Sequence, residues 1–243
     1  MTQINAVLLA GGSGRRMHPL TAAVPKVLLP FGTKNFLDRV AGECIKAGAT
    51  TVTVVHDGGR DGLAIAAHVT ESLGAEPWTA GVALRLVPVD TSRTPEPADS
   101  LKSLDLPGDG DLLIAHCDEF VPAALSAKLV EFARATGAPV ALLFDERAAA
   151  PRAVRVPAVR EVPSVGDVTG SRRLVGRLAL PQAMVGRIRE LAPTATTLIQ
   201  LVVELSGAES VVAIEFGGPY TDLGTLAQYE KYWRTDRAQL DDF

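Results

Sequence analysis

Cysteine is nearly missing from this sequence: its 243 residues include only two, Cys44 and Cys117. Two thiols build neither a disulfide framework nor a cysteine-rich metal site, so both are expected to be reduced. Long apolar runs are also missing, and none approaches the roughly 20 residues that span a bilayer. The start, MTQINAVLLAGG, carries no basic residue and meets glycines after a short apolar run, so no signal peptide is expected. Positive charge is not in excess. A net charge of −4 argues against nucleic-acid binding as the main task, yet leaves room for a local basic pocket. Two phosphate motifs are absent as well, the G-x-x-x-x-G-K-[ST] P-loop and the G-x-G-x-x-G dinucleotide turn. No G-x-S-x-G accompanies His18, His56, His68 or His116, which sets hydrolase triads aside. A cytoplasmic globular protein remains, long enough to bury a substantial core.

What is present alternates between strand and helix patterns. Ile4 to Ala10 reads as a buried strand running into glycines, and Asn35 to Ala47 as a helix with apolar residues on one face, stopped by Gly48. Thr50 to His56 is rich in β-branched residues and reads as the second strand. A helix over Gly62 to Leu73 and a strand over Val82 to Val87 follow, then an exposed loop from Asp90 to Pro97 and a short helix from Ala98 to Leu104. Asp111 to Ala115 and Ala138 to Phe144 read as buried strands around a helix over Pro122 to Thr136. This alternation predicts an α/β fold with parallel pairing, because parallel strands need crossover connections. Pro151 to Leu180 mixes valine and arginine with proline and glycine, and is expected to form antiparallel strands and loops that make a lid or the wall of a pocket. Helices at Gln182 to Leu191 and Thr194 to Leu205, a strand at Ser210 to Phe216 and a helix at Leu226 to Thr235 complete the chain. Without a repeat or a linker, residues 1–243 are expected to form a single domain.

Three segments carry chemistry. Leu8 to Pro30 reads LLAGGSGRRMHPLTAAVPKVLLP. A strand ending in Gly11-Gly12-Ser13-Gly14 frees backbone N–H groups to cradle an anion. Arg15, Arg16 and Lys26 supply the fixed positive charge that a phosphate chain demands. The second segment is the apolar strand from Asp111, closing on His116-Cys117-Asp118. It sets a carboxylate at the edge where open α/β sheets bind ligands, and a hard cation bridging phosphates prefers such oxygen ligands. A bland reading has Asp118 capping the helix near Pro122, and Glu119 is a competing acid. The third segment runs from Gly217 to Thr225, GGPYTDLGT, where Asp222 is also a candidate N-cap.

Together these segments resemble the sugar-1-phosphate nucleotidyltransferases. Gly11 to Thr21 followed by Pro25-Lys26 and Leu28 to Pro30 matches G-G-x-G-T-R-L-x-P-L-T and then P-K-x-L-L-P. Asp222-Leu-Gly224-Thr225 with Gln228-Tyr229 matches the core of W-x-D-I-G-T-P-E-x-Y. The resemblance implies a three-layer sandwich with a mostly parallel central sheet, the Rossmann-like nucleotidyltransferase fold, plus a small antiparallel sugar-side subregion. It implies a transferase of NDP-sugar biosynthesis that joins a nucleoside monophosphate from an NTP to a sugar-1-phosphate or similar phosphorylated polyol. Leu9, Ala10, Gly11, Gly12, Ser13, Gly14 and Arg15 would bind the nucleotide, Arg16 and Lys26 would serve catalysis, and Asp118 and Asp222 would hold Mg²⁺. Neither nucleic acid nor membrane is implied as a partner. By family analogy the chain is a candidate homo-oligomer, and no C-terminal β-helix is expected after the third segment.

The departures are specific. Arg15 stands where the family has threonine or serine, and Cys117 replaces a glycine. The zone from Val89 to Ser100 lacks the glutamine and G-T-A run that contact a pyrimidine. Arg160-Glu161-Val162-Pro163 is the nearest counterpart of E-K-P, with valine in place of the lysine that binds the sugar phosphate; Arg160, Arg172 or Arg173 could substitute. Gly176 resembles the glycine of A-G-I-Y-V, so Arg160, Glu161 and Gly176 are assigned to the sugar-phosphate side. Two alternatives stay open: a molybdopterin-type guanylyltransferase, and a non-catalytic nucleotide-binding regulatory paralogue.

Overall fold

The computed structural model describes residues 3–12, 14–89, 109–155, 172–191, 194–195, 197–208 and 211–235. Ser13, Arg160 and Glu161, the loop from Asp90 and the helix from Ala98 lie outside the described residues.

One sheet of eight strands organises the molecule. Its strands are β1 (Ile4–Leu9), β4 (Thr51–Asp57), β5 (Ala83–Val89), β6 (Asp111–His116), β8 (Val140–Asp145), β9 (Arg152–Arg155), β10 (Arg172–Leu180) and β11 (Val212–Phe216). They lie in the order β5-β4-β1-β6-β10-β8-β11-β9. Neighbours from β5 to β6 pair in parallel, as do β8 and β11; β10 runs antiparallel to both β6 and β8, and β9 antiparallel to β11. Two short antiparallel ladders stand apart: β2 (Pro30–Phe31) with β3 (Lys34–Asn35), and β7 (Glu119–Phe120) with β12 (Thr221–Asp222).

The period of two along a strand explains the layers. In β1 and just beyond it, Ile4, Ala6, Leu8 and Ala10 enter one buried cluster, while Val7 and Leu9 enter the other. Helices α1 (Phe36–Lys46), α2 (Arg60–Glu71), α3 (Ala123–Thr136) and α7 (Leu226–Thr235) cover the first face through residues such as Phe36, Ile65, Leu129 and Tyr229. The short helices α4 (Gln182–Val185) and α5 (Ile188–Leu191) with α6 (Leu198–Ala208) cover the second through Val185, Ile188 and Leu201. Both faces are thus buried, which is why β1 and β6 read as mainly apolar rather than alternating. Among the described residues, no helix is long and apolar enough to cross a membrane.

Helix α1 starts where Asn35 accepts the Asp38 N–H at 2.8 Å, a cap typically worth about 1 kcal/mol. Its inner face buries Phe36, Leu37, Val40, Cys44 and also Glu43. That one acid on an apolar face needs a partner inside the fold.

Two expectations are corrected here. The described parts of the stretch from Pro151 to Leu180 are antiparallel strands, as expected, but belong to the main sheet rather than to a separate wall; β10 is an interior strand. The helix expected from Gln182 to Leu191 is two separate turns, interrupted at Gly186-Arg187.

Candidate active site

The glycine loop leaves β1 at its carboxyl end, where the Ala10 N–H still bonds the Val55 carbonyl at 2.9 Å. Gly14 sits at φ 58°, and a Cβ there would lie 2.9 Å from the Thr21 side chain, so glycine answers to both conformation and space. Thr21 in turn donates its hydroxyl to the Gly14 carbonyl at 2.9 Å. Arg15 to Met17 form a 3₁₀ turn pinned by fully buried Met17, leaving Arg15 and Arg16 exposed. The guanidinium of Arg60, at the start of α2, bonds the carbonyls of Ala22 and Ala23 at 3.0 and 3.2 Å and fastens the far side of the loop. Lys26 opens a later 3₁₀ turn, anchored by buried Val27, and donates to Asp118. A cleft of about 450 Å³ follows, lined by Leu9 to Gly12, Gly14, Arg15, Arg16, Lys26 and Asp118.

The acidic side is assembled by pairing remote in sequence. Strand β6 ends at His116, and after Asp118 the chain enters β7, which pairs with β12 so that Glu119 faces Asp222. The Leu223 N–H bonds the Asp118 carbonyl at 2.9 Å, which brings the segments of the two expected ligands together. Phe120 holds this ladder to the core by stacking on Phe31, with ring centroids 4.0 Å apart. The Asp222 carboxylate accepts the Gly224 N–H at 2.8 Å and the Arg173 guanidinium at 3.1 Å. Neither capping alternative holds: the residue before α3 is Pro122, with no side-chain cap, and the Thr225 hydroxyl receives the Gln228 N–H at the start of α7.

Electrostatics separate the two aspartates. Burial works to raise the Asp118 carboxyl, but the Lys26 ammonium and His116 outweigh it and hold the group below its ordinary value. Burial and the carboxylates of Glu119 and Asp118 lift Asp222 above that value. Burial also pushes the Cys117 thiol up to about 12, so it stays neutral beside the site. One atom each from His116, Asp118 and Glu119 lies within 4.8 Å of the others. Carboxylate oxygens gathered this closely are the kind of donors that suit a hard divalent cation.

A buried arginine braces the turn that carries Asp118. Arg177 on β10 is fully buried and forms a bidentate pair with Glu43 of α1, both bonds at 2.8 Å. Its remaining donors reach the carbonyls of His116 at 2.9 Å, Gly176 at 2.9 Å and Glu119 at 2.7 Å. Strand β10 shifts register between Val175 and Leu178, and this irregularity accompanies the inward turn of Arg177. A Cβ on neighbouring Gly176 would come within 2.7 Å of both Glu119 and His116, so the bare backbone lets β10 approach the acidic turn.

The structure therefore gathers Leu9 to Gly12, Gly14, Arg15, Arg16, Lys26 and Asp118 around one cleft, with Asp222 alongside and Gly176 behind the turn. Glu119 and Arg173 carry only secondary readings in the sequence, as a competing acid and as a substitute for the missing lysine, and Tyr220 and Arg177 carry none as parts of the site. The only signal for Arg177 is an arginine inside the apolar run LVGRLAL.

A model of the MobA-like NTP transferase domain matches residues 6–183. A UTP–glucose-1-phosphate uridylyltransferase of Escherichia coli K12 is 44% identical over 50 residues, a stretch covering 21% of this chain and 17% of that protein. Solved structures align over nearly the whole length. A Bacillus anthracis protein assigned as a glucose-1-phosphate thymidylyltransferase gives a TM-score of 0.71 at 17% identity, over 97% of this chain and 96% of that one. A UTP-bound UGPase from Acinetobacter baumannii gives 0.70 at 16% identity, over 99% and 96%. At such identities the likeness is one of fold. The family match spans most of the chain, including the glycine loop, Lys26 and Asp118: this chain belongs to the MobA-like NTP transferase domain family.

Proposed function

We propose that the chain is a cytoplasmic, Mg²⁺-dependent nucleotidyltransferase that moves a nucleoside monophosphate from an NTP to a sugar-1-phosphate or similar phosphorylated polyol. The observation that carries this reading is the meeting of the glycine loop, Lys26 and Asp118 at one cleft, with Asp222 brought alongside by the β7–β12 ladder. Loop N–H groups, Arg15 and Arg16 would take the triphosphate, while Leu9 and Ala10 lie toward the base. An oxygen of the acceptor's phosphate bonds to the α-phosphorus as the bond to the bridging oxygen breaks, and the electron pair leaves with pyrophosphate. A phosphate monoester is already largely ionised near neutral pH, so no general base is required. Lys26 is placed to neutralise charge on the transferring and leaving oxygens. Asp118 and Asp222 would hold a divalent cation, which would supply further charge neutralisation at the phosphates.

Pyrophosphate release is the test, measured with Mg²⁺ across the four ribonucleotides and dTTP against a panel of sugar-1-phosphates. Release that requires one nucleotide and one acceptor, and is lost in Asp118→Ala, supports the transferase. Nucleotide binding without release from any pair favours a non-catalytic nucleotide-binding role.

A further inference from the structure

The acidic turn holds a donor that the transfer reaction leaves unused. Among the described residues, the donor set that meets within 4.8 Å is His116, Asp118 and Glu119, and Asp222 is not one of the three. One member of this set offers a nitrogen. The imidazole of His116 is 31% exposed and lines the cleft, so it is open to a solute rather than packed away.

The three side chains are held as a unit. Arg177 donates to the carbonyls of His116 at 2.9 Å and of Glu119 at 2.7 Å, and the Leu223 N–H donates to that of Asp118 at 2.9 Å. Each carboxylate is also oriented through one of its oxygens. Tyr220 donates its hydroxyl to Glu119 Oε2 at 2.8 Å, and Lys26 donates to Asp118 Oδ2. Outer hydrogen bonds of this kind aim the remaining oxygen of a metal-binding carboxylate. Gly176 keeps open the space that His116 and Glu119 share, since a Cβ there would lie 2.7 Å from both.

The spacing of His116 and Glu119 fits a shared ion better than a direct bond. His116 Nδ1 lies 3.4 Å from Glu119 Oε1. A charge-assisted N–H···O bond closes to about 2.7–2.9 Å. Two donors on a tetrahedral ion, each bound at about 2.1 Å, stand about 3.4 Å apart. An imidazole nitrogen beside two carboxylates suits a transition-metal ion, whereas Mg²⁺ takes oxygen ligands and keeps much of its water.

We propose that His116, Asp118 and Glu119 form a cation site with one nitrogen and two oxygen ligands, selective for an ion such as Zn²⁺ or Co²⁺ over Mg²⁺. Three protein ligands at the cleft leave the fourth position of a tetrahedral ion to water or another oxygen. The site shares Asp118 with the Asp118–Asp222 pair proposed above for Mg²⁺, is set apart from it by His116, and does not depend on the transfer reaction.

The test uses the full chain stripped of metal with EDTA, dialysed, and kept free of nucleotide. Zn²⁺, Co²⁺ and Mg²⁺ are titrated calorimetrically into wild type, His116→Ala, Glu119→Gln and Asp222→Asn, and bound Co²⁺ is also followed by its visible absorption. Wild type binds Zn²⁺ and Co²⁺ more tightly than Mg²⁺ by roughly tenfold or more, and its Co²⁺ band is stronger than that of the hydrated ion. His116→Ala loses the band and weakens both ions by roughly ten- to a hundredfold, while Mg²⁺ affinity stays near wild type. Glu119→Gln weakens the same two ions, and Asp222→Asn keeps the band. Wild-type Zn²⁺ and Co²⁺ affinity in His116→Ala overturns the proposal. Mg²⁺ affinity falling in step with Co²⁺ in that variant also overturns it, since His116 would then only steady the acidic turn through Glu119. A band lost in Asp222→Asn but kept in His116→Ala overturns it as well, by placing the ion on the Asp118–Asp222 pair. Neither nucleotide nor turnover enters these titrations, so absence of pyrophosphate release from every substrate pair counts against the transferase reading alone.

Discussion

Replacing Arg177 with methionine should be among the most damaging single changes available to this fold. The substitution keeps an apolar side chain at a fully buried position but leaves Glu43, itself only 7% exposed, without its bidentate cation. Removing one partner of a buried ion pair costs about 3 to 5 kcal/mol, because the remaining charge stays desolvated and uncompensated. Three carbonyls, of His116, Gly176 and Glu119, also lose their donor. Domains are commonly stable by only about 5 to 15 kcal/mol, so much of the margin goes. Urea unfolding should show a midpoint lower by about 1 to 2 M, for a slope of about 3 kcal/mol per M. The double variant Glu43→Leu with Arg177→Met removes the stranded charge and should recover part of that loss, yet stay below wild type, because the three carbonyls and the Ser126 hydroxyl that donates to Glu43 at 2.5 Å still lack partners. Turnover should stay low in that double variant, since the brace on the turn carrying Asp118 is absent. Arg177→Met within about 1 kcal/mol of wild type would refute the energetic reasoning. A fully active double variant would refute the brace.

Three further outcomes follow from the same geometry. Lys26→Ala should lower kcat by about a hundredfold, as loss of one preorganised stabilising donor does, with far-UV circular dichroism unchanged; wild-type kcat would contradict the role given to Lys26. Gly176→Ala should destabilise the protein by about 1 to 3 kcal/mol in denaturant titration, because its Cβ would meet Glu119 and His116 at 2.7 Å. Asp222 has a carboxyl raised in the folded state, by burial and by Glu119, so its ionisation is disfavoured on folding. Metal-free Asp222→Asn should therefore equal wild type in stability below about pH 4, gain on it as pH rises through the folded carboxyl's value, and keep a constant advantage above. Unfolding in EDTA across that range checks the sign, and a wild type more stable at neutral pH would reverse it.

The strands were legible where both faces bury apolar residues. Ile4 to Leu9, apolar but for Asn5, and Leu112 to Ala115 announce themselves as buried strands, and the chain beyond their ends exposes the glycine loop and Asp118. Strand β10 was not legible as a core element because it holds Gly176 and Arg177 at its centre. The partner that makes Arg177 tolerable there is 134 residues away on α1, beyond the reach of any local pattern. The nearness of Asp118 to Asp222 has a similar origin: it depends on a two-residue ladder between strands a hundred residues apart. Resemblance supplied that pairing, whereas periodicity could not. Helix starts were displaced for a local reason. Gly62 was read as the beginning of α2, but the Asp57 carboxylate accepts the N–H groups of Gly59 and Gly62, and the helix begins at Arg60.

The central claim is transfer of the α-phosphoryl group, with the β- and γ-phosphates leaving together. Parallel reactions with α-³²P- and γ-³²P-labelled nucleotide, in Mg²⁺ and with the accepted sugar-1-phosphate, test it directly. The account predicts α label in the nucleotide-linked product, γ label in pyrophosphate, and neither conversion in Asp118→Ala. Label from the γ position in orthophosphate or in the acceptor would contradict it, since that outcome describes a phosphatase or a kinase.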